Sequence, residues 1–262
     1  MLALAGLPLG VRFRCYDPNP DAPAGEVAAL TVGEFDDSEA LARFAAGVDV
    51  VTYEFENVPV SAARSLALKV PVYPPPPALH HAQDRLFEKS LFETLKVPVT
   101  PFAAVDGRET LDAAVAKVGL PAILKTRRLG YDGKGQFVIK SAADVDDAWR
   151  ALAGSPLILE KFIPFDRELS IIAVRGRDGG FAFYPMTENV HRRGILHTSR
   201  APAGNVEKLQ PLAESRARAI MESLEYVGVL AIEFFQAGEE LLANEMAPRV
   251  HNSGHWTIEG AA

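Results

Sequence analysis

The run Leu124-Lys125-Thr126-Arg127-Arg128-Leu129-Gly130-Tyr131-Asp132-Gly133-Lys134-Gly135-Gln136 sets three glycines and two lysines behind an apolar segment. Glycine permits positive φ and close backbone approach, so successive N–H groups can face phosphate oxygens while Lys125 and Lys134 supply charge. A polyphosphate suits such a loop; a glycine-rich hairpin with solvated basic residues is the other reading. Further on, Leu157-Ile158-Leu159-Glu160-Lys161-Phe162-Ile163 runs from an apolar strand into a polar pair and back. That pattern suits a hinge able to hold a flat heterocycle, with Glu168 within reach of a ribose hydroxyl if the chain doubles back at Pro164-Phe165-Asp166. In isolation Glu160 and Lys161 also read as charges at a strand end. Glu233 and Glu245 end two apolar runs twelve residues apart with a turn between them. In a hairpin two such carboxylates converge and repel unless a cation lies between them, and magnesium needs only one or two carboxylates when phosphates and water complete its shell. The segment after Glu245 is dense in donors: Arg249 and His251 can hold an anion and Asn252 can orient it.

The elements that must position these groups follow from periodicity and breakers. Residues 1–6 read as the interior of a helix, and a strand over 11–16 stops at Asp17-Pro18-Asn19-Pro20. Asp36-Asp37-Ser38 offers caps for a helix to about Ala46, 48–53 predicts an apolar strand, and 61–68 another helix. This βαβ alternation predicts an open α/β layer that binds ligands at its strand ends, near Asp17 and Tyr53-Glu54. Five prolines in 71–77 predict a stiff connection. Beyond it come a helical stretch over 78–95, an extended segment over 97–101 and a helix over 109–118. The next expectations are strands at 122–126 and 136–139, a helix over 142–152 and a strand at 157–161. Strands at 168–175 and 181–184, a helix over 212–226, and paired strands at 229–235 and 240–245 complete an α+β unit.

With 48% hydrophobic and 23% charged residues, the 262-residue chain can bury one large or two modest cores. A net charge of −7 without a basic tract argues against nucleic acid as a partner. No apolar run approaches the roughly 20 residues that span a bilayer, so no membrane partner is expected. Cys15 is the sole cysteine, which excludes an intrachain disulfide or a cysteine-based zinc cage and fits a reducing, cytoplasmic setting. Met1-Leu2-Ala3-Leu4-Ala5-Gly6 lacks a basic leader and is too short for a signal-peptide core.

A glycine-rich loop preceded by a lysine, a Glu-Lys hinge, and two carboxylates across a hairpin, in that order, resemble the ATP-grasp superfamily. Within it, Gly130-Tyr131-Asp132-Gly133-Lys134-Gly135-Gln136 and Asn244-Glu245-Met246-Ala247-Pro248-Arg249-Val250-His251-Asn252-Ser253-Gly254-His255-Trp256-Thr257 resemble signatures of the 5-(carboxyamino)imidazole ribonucleotide synthase family. Tyr53-Glu54-Phe55-Glu56-Asn57-Val58 and Gln83-Asp84-Arg85 fit as well. The resemblance implies a fold that is α/β plus α+β. A Rossmann-like pre-ATP-grasp substrate domain, cut short at its front, would span 1–76. A two-lobed ATP-grasp domain would span 77–262, with a small lobe over about 102–163 and a large lobe over about 164–262.

The resemblance also implies roles. ATP would meet Arg85, Lys125, Gly130, Tyr131, Asp132, Gly133, Lys134, Gly135, Gln136, Glu160, Lys161, Phe162, Ile163, Glu168, His191, Asn244 and Glu245. Glu233 and Glu245 would hold Mg2+. Glu54, Tyr131, Asp132 and Lys134 would meet aminoimidazole ribonucleotide, while Arg249, His251 and Asn252 would position bicarbonate or carboxyphosphate. The implied reaction is ATP-dependent joining of bicarbonate to the substrate amine in purine biosynthesis, by a homodimer. Family members carry a leading strand with a glycine turn and a small C-terminal domain, both expected to be missing here. That makes a non-catalytic ATP-binding fragment one alternative. The other is a formate-using glycinamide ribonucleotide transformylase-like ligase, whose phosphate loop resembles Ser-Ser-Gly-Lys-Gly more than the loop in this chain.

Overall fold

The computed structural model describes residues 2–130, 134–192 and 194–261. Helix α1 (Leu2–Gly6) leads into strand β1 (Arg14–Asp17), which pairs in parallel with β2 (Ala29–Val32), a strand that the sequence pattern does not announce. Helix α2 (Ser38–Ala45) starts where the acidic run predicts: Asp37 Oδ1 accepts the N–H groups of Glu39 and Ala40 at 3.0 and 2.9 Å. The strand expected over 48–53 does not form. Val51 makes a single parallel bridge to Val72, exchanging bonds with Pro71 and Tyr73. The neighbouring rungs would draw on the N–H groups of residues 71 and 75, and both are proline.

Helix α3 (Val60–Ala67) packs on α2, closing a core of Leu41, Val51, Tyr53, Ala62, Ala63 and Leu66. The expected stiff connection over 71–77 gives way to a helix, α4 (Pro76–Ala82), because prolines in its first turn need no amide donor. The single helical stretch expected over 78–95 is likewise two helices. Asp84 leaves helical geometry, accepts the Leu86 N–H at 3.0 Å and starts α5 (Arg85–Thr94).

A four-stranded antiparallel sheet follows. It comprises β3 (Phe102–Val105), β4 (Ala122–Thr126), β5 (Gln136–Ile139) and β6 (Leu157–Lys161) in the order β3-β6-β4-β5. Helices α6 (Arg108–Val118) and α7 (Val145–Leu152) cover one face, burying Leu111, Ala114, Leu124, Ile139, Ala148, Leu157 and Leu159. The extended segment expected over 97–101 contributes instead to the next unit, where Val99 bridges Ala243.

The second sheet holds β7 (Arg167–Arg175), β8 (Phe181–Phe183), β9 (Thr187–Arg192) and β10 (Ile195–Arg200), then β11 (Gly228–Ala237) and β12 (Glu240–Ala247). Its order is β10-β9-β7-β11-β12, with β8 on β7. Strands β9 and β10 go unannounced in the sequence because Thr-Glu-Asn-Val-His-Arg and Ile-Leu-His-Thr-Ser-Arg carry little apolar alternation. Helix α8 (Leu209–Ser223) lays Ala213, Ala217, Ile220 and Met221 on Leu230, Ile232 and Phe234. The chain closes with α9 (Thr257–Gly260), held near β9 by Trp256 Nε1 donating to Thr187 Oγ1 at 3.2 Å. No helix among the described residues is long and apolar enough to cross a membrane.

Phe234 is fully buried at the centre of this second core. Phe234→Ala should cost about 3–5 kcal/mol, read as a lower denaturant midpoint with an unchanged slope.

Candidate active site

The two sheets face each other across a cavity of about 460 Å3. The small-lobe wall is β4 and its loop. Backbone bonds pin that loop, with the Thr126 N–H donating to the Gly135 carbonyl at 2.8 Å. Gly135 has φ +69, and a Cβ there would lie 2.6 Å from Thr126 Oγ1, so only glycine fits. Gly130, Lys134 and Gln136 line the cavity; Tyr131, Asp132 and Gly133 lie outside the described residues.

Lys125 reaches Glu160 Oε2 at 2.9 Å, and Lys89 Nζ stands 3.5 Å from the same oxygen. Burial opposes ionisation of Glu160, but Lys125, Lys89 and Arg85 outweigh it and hold the carboxyl down to about 2. Burial pulls the Lys125 ammonium down, and Glu160 offsets this only in part because Arg85 and Lys89 repel it. One carboxylate thus serves several crowded cations.

Helix α5 aims Arg85 into the cavity from its first turn. Arg85 donates to Glu245 Oε2 at 3.0 Å and to the Gly130 carbonyl at 3.3 Å, tying the phosphate-loop wall to the opposite sheet. The cap residue Asp84 accepts both Arg127 Nε and Nη2, at 2.9 and 2.8 Å. Gln83 accepts from Arg128 at 2.7 Å and donates to the carbonyls of Glu56 and Val58. Gln83-Asp84-Arg85 is therefore the joint between the first unit, the loop and the cavity.

On the large-lobe wall Glu233 of β11 stands directly opposite Glu245 of β12, so both carboxylates share one face of the sheet. The register shifts between Glu233 and Phe234, where Asn244 of β12 is the extra residue of a bulge. Burial would raise Glu245, but Arg85 pulls it below the usual carboxylate range. At Glu233 burial, followed by the Glu245 charge, outweighs the nearby His191 and Arg249 and pushes the carboxyl up to about 8. His251 Nε2 lies 3.6 Å from Glu233 Oε1; burial and the neighbouring Arg249 charge pull its imidazole down to about 4. His191 contacts Glu168, which raises its basicity.

Two facing carboxylates, one of them driven toward its neutral form, fit a divalent cation that also takes phosphate oxygens. Asn244 Oδ1, beside them, is buried without a hydrogen-bond partner. Among the described residues no cluster of three or more His, Cys, Asp or Glu could hold a metal.

Arg85, Lys125, Gly130, Lys134, Gln136, Glu168, His191, Glu233, Asn244, Glu245, Arg249, His251 and Asn252 meet in this one cavity. Glu54 lies in an adjoining cavity of about 280 Å3 with Arg249, His251, Asn252 and His255, and accepts the Leu2 N–H. Lys161 does not enter either wall: its ammonium turns to the Leu120 carbonyl at 2.9 Å. Its N–H and that of Phe162 are spent on the Pro101 and Pro121 carbonyls. Phe162 and Ile163 also stand outside both walls, and Glu160 lies behind Lys125.

Several contributors carry weak sequence signals. Glu56 binds Arg249 at 2.7 Å. Phe165 and Phe235 stack at 4.5 Å and line the cavity. Glu88 accepts the Met246 N–H at 2.6 Å and Lys89 donates to the Asn244 carbonyl at 3.3 Å. The last two were detectable, since positions 85, 88, 89 and 92 share one helical face.

The class is that of the description "ATP-grasp domain", which matches residues 90–262, preceded by "Ribonucleotide synthetase preATP-grasp domain" over 1–83. The N5-carboxyaminoimidazole ribonucleotide synthase of Pseudomonas aeruginosa is 52% identical over 261 residues, covering 100% of this chain and 72% of that relative. The chain belongs to the N5-carboxyaminoimidazole ribonucleotide synthase family. The crystal structure of the Thermus thermophilus synthetase superposes with a TM-score of 0.93 at 60% identity, covering 99% of this chain and 71% of that one. An Aspergillus clavatus synthase in complex with ADP and 5-aminoimidazole ribonucleotide gives 0.90 at 29% identity, covering 99% and 69%.

Glu233 has an ordinary value of 4.5 and a folded value near 8. Its neutral form favours folding, so that contribution is complete below the unfolded value and is lost as pH rises through the folded one. Without metal, Glu233→Gln should gain stability over the parent between about pH 5 and about pH 8 and converge with it in acid. Denaturant midpoints across that range measure this, and a constant offset would contradict it.

Proposed function

We propose that the chain catalyses ATP-dependent carboxylation of 5-aminoimidazole ribonucleotide with bicarbonate. The observation that carries this reading is the convergence, in one cavity, of the opposed Glu233 and Glu245 with Arg85, Lys125, Arg249 and His251. Bicarbonate has no good leaving group. Transfer of the terminal phosphoryl group of ATP to a bicarbonate oxygen gives carboxyphosphate and ADP. The substrate amine then forms a C–N bond to that carbon as the C–O bond to phosphate breaks, releasing phosphate and a proton.

Lys125, Arg85 and the backbone N–H groups of the 130–136 loop would bind the ATP phosphates, with Glu168 and His191 at the ribose side and the Phe165–Phe235 stack beside the base. Glu233, Glu245 and the Asn244 oxygen would hold magnesium, which neutralises charge on the transferring phosphoryl group. Arg249, anchored by Glu56, would fix the bicarbonate anion, and Asn252 would orient it. His251, held neutral by burial and the Arg249 charge, would join Arg249 in positioning the anion through a hydrogen bond. Glu54, in the adjoining cavity, would meet the ribonucleotide, with Lys134, Tyr131 and Asp132 as the further contacts that the resemblance implies, and burial of the reacting groups between the walls would shield carboxyphosphate from water.

The division at 76/77 rests on the separate core around Leu41 and Tyr53, while the two family matches part further on, between 83 and 90. A homodimer in the cytoplasm completes the reading.

Purified chain should release ADP from Mg-ATP only when bicarbonate and aminoimidazole ribonucleotide are both present, and formate should not replace bicarbonate. Glu245→Gln should lower kcat about 100-fold or more. ATP binding without ligand-dependent ADP release would favour the non-catalytic alternative.

A further inference from the structure

Lys89 is more deeply buried than Lys125 and stands in neither cavity wall. Its side chain is 1% exposed, lies 3.5 Å from Glu160 Oε2 and donates to the Asn244 carbonyl at 3.3 Å. Lys125 binds the same carboxylate oxygen at 2.9 Å, but it lines the cavity. One oxygen of Glu160 therefore serves two ammonium groups delivered by different elements, α5 and β4. Only the one from β4 can reach a ligand.

Lys125 cannot serve Glu160 and a phosphate equally, because a charge-assisted bond to either weakens the other. With Lys125 as its only ammonium partner, Glu160 would be left to the charge of Arg85, itself engaged by Glu245, whenever Lys125 turned to a phosphate. A side chain 4% exposed cannot recover that loss from water. Lys89 removes the penalty, and the wall between it and the cavity keeps it from following the phosphate. Its bond to the Asn244 carbonyl also spans the cleft, joining β12 through α5 to Glu160 of β6.

We propose, resting on the reading that this cavity takes ATP, that Lys89 is the standing counter-ion of Glu160 and so releases Lys125 to the ATP phosphates. Lys89 is a positioning residue: it acts through Glu160 and touches no substrate.

Calorimetric titration with Mg-ATP and with adenosine tests this on the parent, Lys89→Met, Lys89→Arg and the double variant Lys89→Met, Glu160→Gln. Loss of Lys89 leaves Glu160 holding Lys125, so Lys89→Met should weaken Mg-ATP roughly ten-fold or more. Adenosine, which needs no phosphate contact, should change by less than about two-fold. Lys89→Arg should restore most of the affinity, and Lys89→Met should cost nothing in the Glu160→Gln background. Unchanged ATP affinity in Lys89→Met, or equal loss of ATP and adenosine, overturns the role of Lys89. A parent that binds adenosine but not Mg-ATP overturns the ATP reading along with it. If Lys89→Met fails to fold, thermal melting of Lys125→Met decides: a melt close to the parent is expected because Lys89 still pairs Glu160, and a large drop overturns the proposal.

Discussion

Charge in the cleft is balanced by pairing inside the protein, most strictly around Glu160, whose side chain is 4% exposed beside a Lys89 that is 1% exposed. Glu233 and Glu245 face each other on adjacent strands, an arrangement that a sheet tolerates only with positive charge close by. Arg85 supplies it beside Glu245, while Glu233, beside the neutral His251, is pushed toward its protonated form. Glu160 plays the complementary part in the small lobe, where it draws Lys125 and Lys89 together. The groups suited to bind phosphate are thus paired with carboxylates, two of them suited to bind metal and one backing Lys125. A ligand bringing both phosphate and a divalent cation can exchange those pairings without leaving a buried charge alone.

Helix α5 is what makes the balance possible. Its cap, Asp84, holds Arg127 of the loop, Arg85 reaches Glu245, Glu88 accepts the Met246 N–H, and Lys89 reaches Glu160. The break between α4 and α5 matters as much as the helix. An uninterrupted helix would keep Asp84 in its ladder, and the bidentate clamp on Arg127 would be lost along with the cap. Gln83 extends the joint to the backbone of Glu56 and Val58, where the first unit meets the cavity, so α5 and its cap hold three walls in register.

Much of this was legible in the residues. Strands at 122–126, 136–139 and 157–161 follow from short apolar runs bounded by glycine, proline and charge, and they form with those bounds. The two-carboxylate hairpin follows from its turn at Ala237-Gly238 and its spacing. Less was legible where pairing, not pattern, decides. The apolar run at 48–53 is a good strand in isolation, but its neighbour carries Pro71 and Pro75. Strands β9 and β10 look like loop until β7 offers them an edge. The partners of Lys161 and Lys89 were not legible either: one turns to the Leu120 carbonyl and the other lies buried beside Glu160.

By itself the sequence determined which groups can do chemistry and their order along the chain, because glycine, carboxylate and cation carry fixed properties at fixed spacings. It also determined where elements must stop, because proline and capping acids act on their immediate neighbours. Only the tertiary structure decided which cation answers which carboxylate. That choice depends on distance and burial between residues as far apart as Arg85 and Glu245, and a pairing energy in a buried site is set by surroundings that no local pattern encodes.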